Sequence, residues 1–285
     1  MTSAIDVEAL KRFLDSELYD RLVEFYEVQP STLPKPDFKT MYSWLVGDVA
    51  TEFFNHPAKM NPYLSAILWR HVESDDTVLD PMCGVGGTVI PGLLIKPPRK
   101  VVLNDIVSQY AETAKTICEN IISTLGLPTK VEVYTTNAAC LYEKVGRRSV
   151  DIVITSPPYG RVNKADKRYG LPFRQTYRGG GWGDISTFAN GHFTIALLQV
   201  IASTYMMLDQ GDKAVVNLKN TKTSKGKLPP LTTITEGHMK YVGFKNIAVR
   251  EFLLEYESPY AKVRRTRGED TSHLQREYAV IGEKP

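Results

Sequence analysis

Two segments of the chain combine residue types that could do chemistry. Asp80-Pro81-Met82-Cys83-Gly84-Val85-Gly86-Gly87-Thr88 follows the apolar run Thr77-Val78-Leu79, and Ser156-Pro157-Pro158-Tyr159 follows Asp151-Ile152-Val153-Ile154-Thr155. Short apolar runs ended by polar turns read as buried strands. In the first segment a carboxylate stands at the strand end, and the glycines after it let the backbone approach a ligand closely. In the second, two prolines stiffen the turn, with a side-chain oxygen before them and an aromatic ring after. One segment suits a nucleoside-bearing ligand; the other could clamp a flat, hydrogen-bonding base.

The Gly-rich turn excludes two common phosphate sites. A dinucleotide site asks for Gly-x-Gly-x-x-Gly, and a phosphate loop asks for Gly-Lys-Ser/Thr. Here Gly84-Val85-Gly86 runs on into Gly87-Thr88-Val89, which satisfies neither. Asp80 would repel a pyrophosphate but suits a cation. S-adenosylmethionine, with a sulfonium centre, an α-amino group and no phosphate, matches these residues. Asp105, beside Ile106 and twenty-one residues after Gly84, is placed to accept hydrogen bonds from both ribose hydroxyls or to cap the helix that follows. Asn137-Ala138, at the end of a third strand, is placed to meet the adenine.

These residues need a scaffold that gathers strand ends. Residues 6–28 carry apolar side chains at helical spacing and read as one or two helices capped near Ser3 or Asp6. The Pro-rich connector 29–36 stops them. Pro62 opens an amphipathic helix to His71. Strands then fall at Thr77–Leu79, Lys100–Leu103, Val131–Tyr134 and Val150–Ile154, with helices from Thr88 to about Ile95 and from Ser108 to Leu125. Gly126 and Pro128 end the second helix. Such alternation makes a parallel sheet with right-handed crossovers, covered by helices. Its ligands belong at the carboxyl ends of the strands, where Asp80, Asp105, Asn137 and Ser156 all stand. Further on, a helix from about Ser186 to Met207 precedes a turn and the strand to Leu218. A helix near Leu231–Tyr241 and strands Lys245–Glu255 and Glu277–Ile281 complete the chain.

Bulk composition narrows the classes. Hydrophobic content of 42% and charged content of 24% are ordinary for a globular chain, and a net charge of +3 does not by itself imply nucleic acid. No apolar run approaches the roughly eighteen residues that a membrane helix needs. The start, Met1 to Asp6, shows no secretory pattern. Cys83, Cys118 and Cys140 stand in unrelated contexts, which argues against a zinc site or a disulfide framework and fits a reducing, cytoplasmic setting. The expectation is no metal, no membrane, and a monomer or homodimer.

Leu79-Asp80-Pro81-Met82-Cys83-Gly84-Val85-Gly86-Gly87-Thr88 resembles the cofactor motif of amino-methyltransferases acting on nucleic acid. Thr155-Ser156-Pro157-Pro158-Tyr159 resembles their Ser/Asp/Asn-Pro-Pro-Tyr catalytic motif. His56-Pro57-Ala58-Lys59-Met60 resembles their Pro-Ala-Lys-Phe segment, with Met60 where Phe is usual. The likeness covers roughly residues 50–160 and, more loosely, the later strands. It implies a Rossmann-like class I methyltransferase fold, α/β, with a mostly parallel seven-stranded sheet and helices on both faces. Residues 1–45 would form an N-terminal helical segment and 46–285 the methyltransferase domain, with 160–185 and 219–231 as substrate-facing loops. Implied cofactor contacts are Lys59, Asp80, Pro81, Met82, Cys83, Gly84, Gly86, Thr88, Asp105, Ile106, Asn137, Ala138 and Ser156. Implied catalytic residues are Ser156, Pro157, Pro158 and Tyr159.

The chemistry agrees with that resemblance. An exocyclic base amine is a weak nucleophile because its lone pair is delocalised into the ring. The Ser156 oxygen and the Pro157 carbonyl can accept the two amine hydrogens and favour a tetrahedral nitrogen. Tyr159 can stack on a base, flipped out if the substrate is a duplex. Pro-Pro-Tyr could otherwise be a polyproline ligand. In this family Ser at the first position favours cytosine N4, with adenine N6 or a cytosine in structured RNA as alternatives. DNA methylation, in a restriction–modification setting, is the favoured role, and a non-catalytic, cofactor-binding subunit is the rival from another class. Arg161, Lys164, Arg168, Tyr169, Arg174, Tyr177, Arg178 and Trp182, with Arg264 and Arg265, would contact nucleic acid. Otherwise they form a solvated surface.

Overall fold

The apolar runs pair edge to edge into one eight-stranded sheet. The computed structural model describes residues 5–56, 59–158, 190–220, 230–257, 265, 266, 268 and 275–285. The strands are β1 Thr32–Leu33, β2 Thr77–Asp80, β3 Lys100–Asn104, β4 Lys130–Tyr134, β5 Val150–Thr155, β6 Leu208–Leu218, β7 Lys245–Leu254 and β8 Arg276–Glu283. Their spatial order is β1-β7-β8-β6-β5-β2-β3-β4. Neighbours run parallel except for β8, which is antiparallel to both β6 and β7. The chain moves outward from β2 through β3 to β4, then returns to lay β5 against the other side of β2. That reversal makes the carboxyl ends of β2 and β5 the switch point of the sheet, where a crevice opens for a ligand. Val78 pairs with Ile152 and Leu79 with Val153, so Asp80 and Ser156 emerge at the same end.

Alternate residues of each strand feed two cores. Val78, Val101, Ile152, Ile154 and Val215 face one cluster, while Leu79, Val102, Val153, Ala214 and Val216 face the other. Both faces being apolar is what buries a parallel sheet between helix layers. On the first face pack α1 Val7–Leu14, α2 Glu17–Val28, α4 Gly47–Asn55, α5 Pro62–Leu68, α6 Ile90–Ile95 and α7 Ser108–Leu125, with the short α3 Phe38–Met41 between them. On the second pack α8 Tyr142–Val145, α9 Asn190–Met207 and α10 Leu231–Val242.

Local chemistry sets the helix ends. The Asp6 carboxylate accepts from Ala9 N–H at 3.0 Å and starts α1, and Ser16 caps α2. The N-terminal apolar stretch is thus two helices, broken at Asp15-Ser16. Pro62 occupies the first turn of α5, where its missing N–H leaves nothing unsatisfied. Leu10, Phe13, Leu22 and Phe25 join the sheet's own core, and the Phe25 and Tyr63 rings lie 4.7 Å apart.

Two features differ from the sequence expectation. The sheet has eight strands because Thr32–Leu33, inside the Pro-rich connector, pairs in parallel with Leu253 and Leu254. Strand β6 starts at Leu208, since Gly211 N–H reaches the Lys284 carbonyl at 2.8 Å and the Lys284 N–H returns to Asp212 O. Among the described residues, no helix is long and apolar enough to cross a membrane.

Candidate functional site

Asp80 ends β2 with no exposed surface. Its Oδ1 accepts from the Met82 N–H at 3.1 Å and from the Thr155 hydroxyl at 2.8 Å; Oδ2 accepts from none of the described residues. Burial pushes this carboxyl up to about 6, against the pull of Thr155, Met82 and Thr88. A half-satisfied buried carboxylate is costly unless a ligand group answers it. An amine or other cation would do so.

The turn after Asp80 is pinned from the next strand. Cys83 N–H donates to the Asn104 carbonyl at 2.8 Å, and Gly84 N–H donates to Asp105 Oδ2 at 2.9 Å. The other Asp105 oxygen accepts from Val107 N–H at 2.9 Å. Asp105 therefore tethers the Gly-rich turn and shapes the approach to α7, whose own N-cap is Val107. Both carboxylate oxygens are thus engaged by backbone N–H groups at the turn. Gly84 and Gly86 hold φ of +52° and +87°, the left-handed region that a side chain disfavours. A Cβ on Gly84 would lie 2.9 Å from the His56 ring, so that ring closes the outer side of the turn.

Other expected cofactor contacts take distinct positions. The Pro81 carbonyl accepts from Asn104, and the Cys83 thiol is buried and pushed up by that burial. Met82 packs partly buried against the second core, Thr88 is buried at the head of the turn, and Ile106 packs half-buried on the first core. Asn137 accepts from Ala139 N–H at 3.0 Å and starts a short 3-10 turn, with Ala138 buried behind it. The Lys59 ammonium is turned to the end of α4: it donates to the carbonyls of Phe53, Phe54 and His56 at 3.1, 3.1 and 2.8 Å. Burial lowers it to about 8. The Lys59 Cα and Cβ both lie 3.8 Å from where a Gly87 Cβ would stand. All three N–H donors are engaged at the helix end.

Ser156 and Pro157-Pro158 leave β5 beside Asp80. Ser156 is half-buried and Pro157 buried. The Ser156 oxygen accepts from Asn217 Nδ2 at 3.4 Å, and the same nitrogen donates to Glu277 Oε2 at 3.0 Å. Lys219 pairs with the other Glu277 oxygen at 3.2 Å. Asn217 and Glu277, 1% and 6% exposed, are functional candidates that sequence reasoning missed. The available signal was an asparagine closing the apolar run Ala214-Val215-Val216 at a strand's carboxyl end. Asn104 was missed as well: its side chain bonds Pro81 O, Thr136 O and Thr136 N, tying the loops after β2, β3 and β4 together.

Tyr159, Arg161, Lys164, Arg168, Tyr169, Arg174, Tyr177, Arg178, Trp182 and Arg264 lie outside the described residues. Arg265 is described; its guanidinium pairs with Glu257, just past β7, at 3.0 Å. Among the described residues, no cluster of three His, Cys, Asp or Glu could hold a metal ion.

No curated relative matches the sequence. Similar solved structures include a SAM-dependent O-methyltransferase from Thermotoga maritima, 15% identical over 84% of this chain and 72% of that one, with a TM-score of 0.45. A precorrin-6y C5,15-methyltransferase from Geobacter metallireducens is 13% identical over 80% and 94%, with a TM-score of 0.46. A geranyl diphosphate methyltransferase in complex with SAM is 13% identical over 88% and 93%, with a TM-score of 0.48. Likenesses this distant carry no argument about substrate. Residues 51–178, which hold the Gly-rich turn, Asp105 and Ser156-Pro157-Pro158, match the family UPF0020, described as RMKL-like, methyltransferase domain.

Proposed function

We propose that this protein is an S-adenosylmethionine-dependent methyltransferase acting on the exocyclic amine of a nucleobase, cytosine N4 in DNA. The observation that carries the reading is the Thr155–Asp80 hydrogen bond across the switch point. It joins the turn suited to a cationic nucleoside cofactor to the Ser-Pro-Pro turn suited to a base amine. The match of residues 51–178 to a methyltransferase domain supports the reaction class.

S-adenosylmethionine is the cofactor that these residues fit. The unpartnered Asp80 Oδ2 offers negative charge to an amine or sulfonium, and Gly84 and Gly86 allow close backbone approach. Asp105 holds the turn in shape through Gly84 N–H and stands where an acidic side chain of such a sheet meets ribose hydroxyls. When bound, the cofactor supplies a methyl group on a positively charged sulfur. The chain's own part is to make the amine reactive. Ser156 Oγ and the Pro157 carbonyl accept its two hydrogens, which localises the lone pair as the nitrogen becomes tetrahedral. Ser156 as the first residue of the tetrapeptide favours cytosine over adenine, by resemblance. Tyr159 would stack on the base, and the basic and aromatic residues from Arg161 to Trp182, with Arg264 and Arg265, would hold the polynucleotide.

The test is methyl transfer from radiolabelled cofactor to duplex DNA, single-stranded DNA and total RNA, followed by nucleoside mass spectrometry. N4-methylcytosine in DNA is the expected product. Label confined to RNA, or found on adenine, would replace the substrate while keeping the reaction. Tight cofactor binding with no label in any pool would overturn the reading in favour of a non-catalytic subunit.

A further inference from the structure

Behind Ser156 lies a polar cluster that neither the motif nor the proposed reaction accounts for. Asn217 is the penultimate residue of β6, and Glu277 is carried in by antiparallel β8, whose Ala279 pairs with Asn217 and Tyr278 with Leu218. Both side chains are more than nine-tenths buried, on the face of the sheet that Val215 and Ala279 share. Placing a carboxylate and a carboxamide among apolar neighbours is costly unless each polar atom is answered. Three are: Asn217 Nδ2 bonds Glu277 Oε2 and Ser156 Oγ, and Lys219 pairs with Glu277 Oε1. The Tyr256 hydroxyl is pushed up to about 12 by burial and, to a lesser degree, by the Glu277 charge.

The direction of the bonds fixes the chemistry. An ionised carboxylate only accepts, so Glu277 compels Asn217 to present its NH2 group, and the opposite amide orientation is excluded. The two hydrogens of that group lie in one plane. With one on Glu277, the other is directed to Ser156 Oγ. The serine oxygen thereby receives an N–H, and its own hydrogen cannot occupy that side.

Resting on the methyltransferase reading above, we propose that Asn217, oriented by the Glu277–Lys219 pair, is the positioning residue that sets the Ser156 oxygen as a hydrogen-bond acceptor for the substrate amine. Asn217 acts through Ser156 and not on the amine itself. A serine with a free rotor could turn its hydrogen toward the amine; the Asn217 N–H restricts that rotation and withdraws charge from the oxygen only modestly at 3.4 Å. Glu277 thus contributes to turnover from a position outside the motif, by deciding which way a neutral side chain points.

A double-mutant cycle tests this, because residues acting as one unit give non-additive effects. The readouts are label transfer from cofactor to the nucleic-acid pool that wild type methylates, and S-adenosylhomocysteine binding by calorimetry. Asn217→Ala should lower kcat about 10- to 100-fold, less than the roughly 100- to 1,000-fold for removing a donor that meets the transition state directly, because Asn217 acts through Ser156. Cofactor affinity should stay within about 2-fold, because the side-chain hydrogen bonds of Asn217 among the described residues go to Ser156 and Glu277. In a Ser156→Ala background the same substitution should change kcat by less than about 2-fold. Glu277→Gln, which retains an acceptor oxygen for Asn217, should keep kcat within about 5-fold, while Glu277→Ala should match Asn217→Ala; this pair also serves if Asn217→Ala does not fold. Full multiplication of the Asn217 and Ser156 effects, or a loss confined to KM, would overturn the assignment. If wild type labels no nucleic acid, the functional reading itself fails and the inference falls with it.

Discussion

The Thr155 hydroxyl donates to Asp80 Oδ1 at 2.8 Å across 75 positions of sequence. It is the direct polar link between the carboxyl ends of β2 and β5, and it lies where both residues are buried. Thr155→Val keeps the shape and removes the donor, leaving a buried carboxylate with the Met82 N–H as its remaining partner of the pair. Urea unfolding should show a loss of about 1–3 kcal/mol, and methyl transfer should fall with it. An unchanged unfolding midpoint together with normal turnover would deny the link any role.

Asp80 also predicts a pH dependence. Its carboxyl is raised by burial from 3.8 to about 6 in the folded chain. Between these values the folded state holds the proton more tightly than the unfolded chain does. This contribution to stability is therefore present at acid pH and is lost as pH rises from about 4 to about 6, by an amount on the order of 3 kcal/mol. Asp80→Asn should flatten that slope in unfolding experiments run from pH 4 to 7 without ligand. The cofactor should show the opposite trend, binding wild type more tightly as Asp80 ionises, and Asp80→Asn weakly at every pH.

A third prediction concerns Asp105, whose two oxygens take Gly84 N–H and Val107 N–H, both at 2.9 Å. Asp105→Asn leaves one acceptor and sets an NH2 against a backbone N–H. The turn should loosen even where the ribose hydroxyls could still be met. Affinity for S-adenosylhomocysteine should fall at least 10-fold, with a stability loss of about 1–2 kcal/mol. Loss of affinity at unchanged stability would indicate that ribose binding, and not the tether, is the main role.

Much of this arrangement was legible in the sequence, for physical reasons. The parallel strands are buried on both faces, so Thr77–Leu79 and Val150–Ile154 stand out as short apolar runs, and their ends fall where the residue chemistry changes. Helix α7 was readable to the residue because Gly126 supplies a left-handed C-cap, with φ of +63°. The edge strand Thr32–Leu33 was not readable, since two residues between prolines carry no period. Nor was the Lys59 role, because the partners of its ammonium are carbonyls, and backbone acceptors leave no trace in residue types. Asn217 and Glu277 escaped for a related reason: they lie 60 residues apart, and only the antiparallel pairing of β6 with β8 brings them behind Ser156.

Two glycines separate architecture from binding. A Cβ on Gly92 would stand 2.0 Å from the ring of Trp69, which is fully buried. Gly92→Ala must displace α6 from Trp69, the residue that caps α5, with an expected loss of about 3 kcal/mol and nearly normal cofactor affinity in the fraction that folds. Gly84→Ala meets the His56 ring at 2.9 Å and must hold φ of +52°, a strain of about 1–2 kcal/mol for a residue with a side chain. Its main effect should be on cofactor binding, because the distortion falls within the turn itself. Calorimetric affinities and denaturation midpoints for the two variants should therefore rank in opposite orders.

Lys59 gives the sharpest contrast between resemblance and structure. Its segment resembles a cofactor-proximal motif, yet its ammonium donates to three carbonyls at the end of α4 and lies 5.5 Å and 5.6 Å from the centres of the Phe38 and Phe53 rings. A cation at a helix C-terminus meets the negative end of the helix dipole and its unpaired carbonyls. Lys59→Met keeps the aliphatic stem and removes those donors. Stability should fall by about 1–2 kcal/mol, while S-adenosylhomocysteine affinity in the folded protein stays within about 3-fold. The opposite result, intact stability with affinity lost by more than about 10-fold, would mean that the ammonium leaves the helix end to meet the ligand. The helix-end role makes a further demand: Lys59→Arg, whose fork cannot place three donors on carbonyls converging at a single nitrogen, should recover only part of the lost stability.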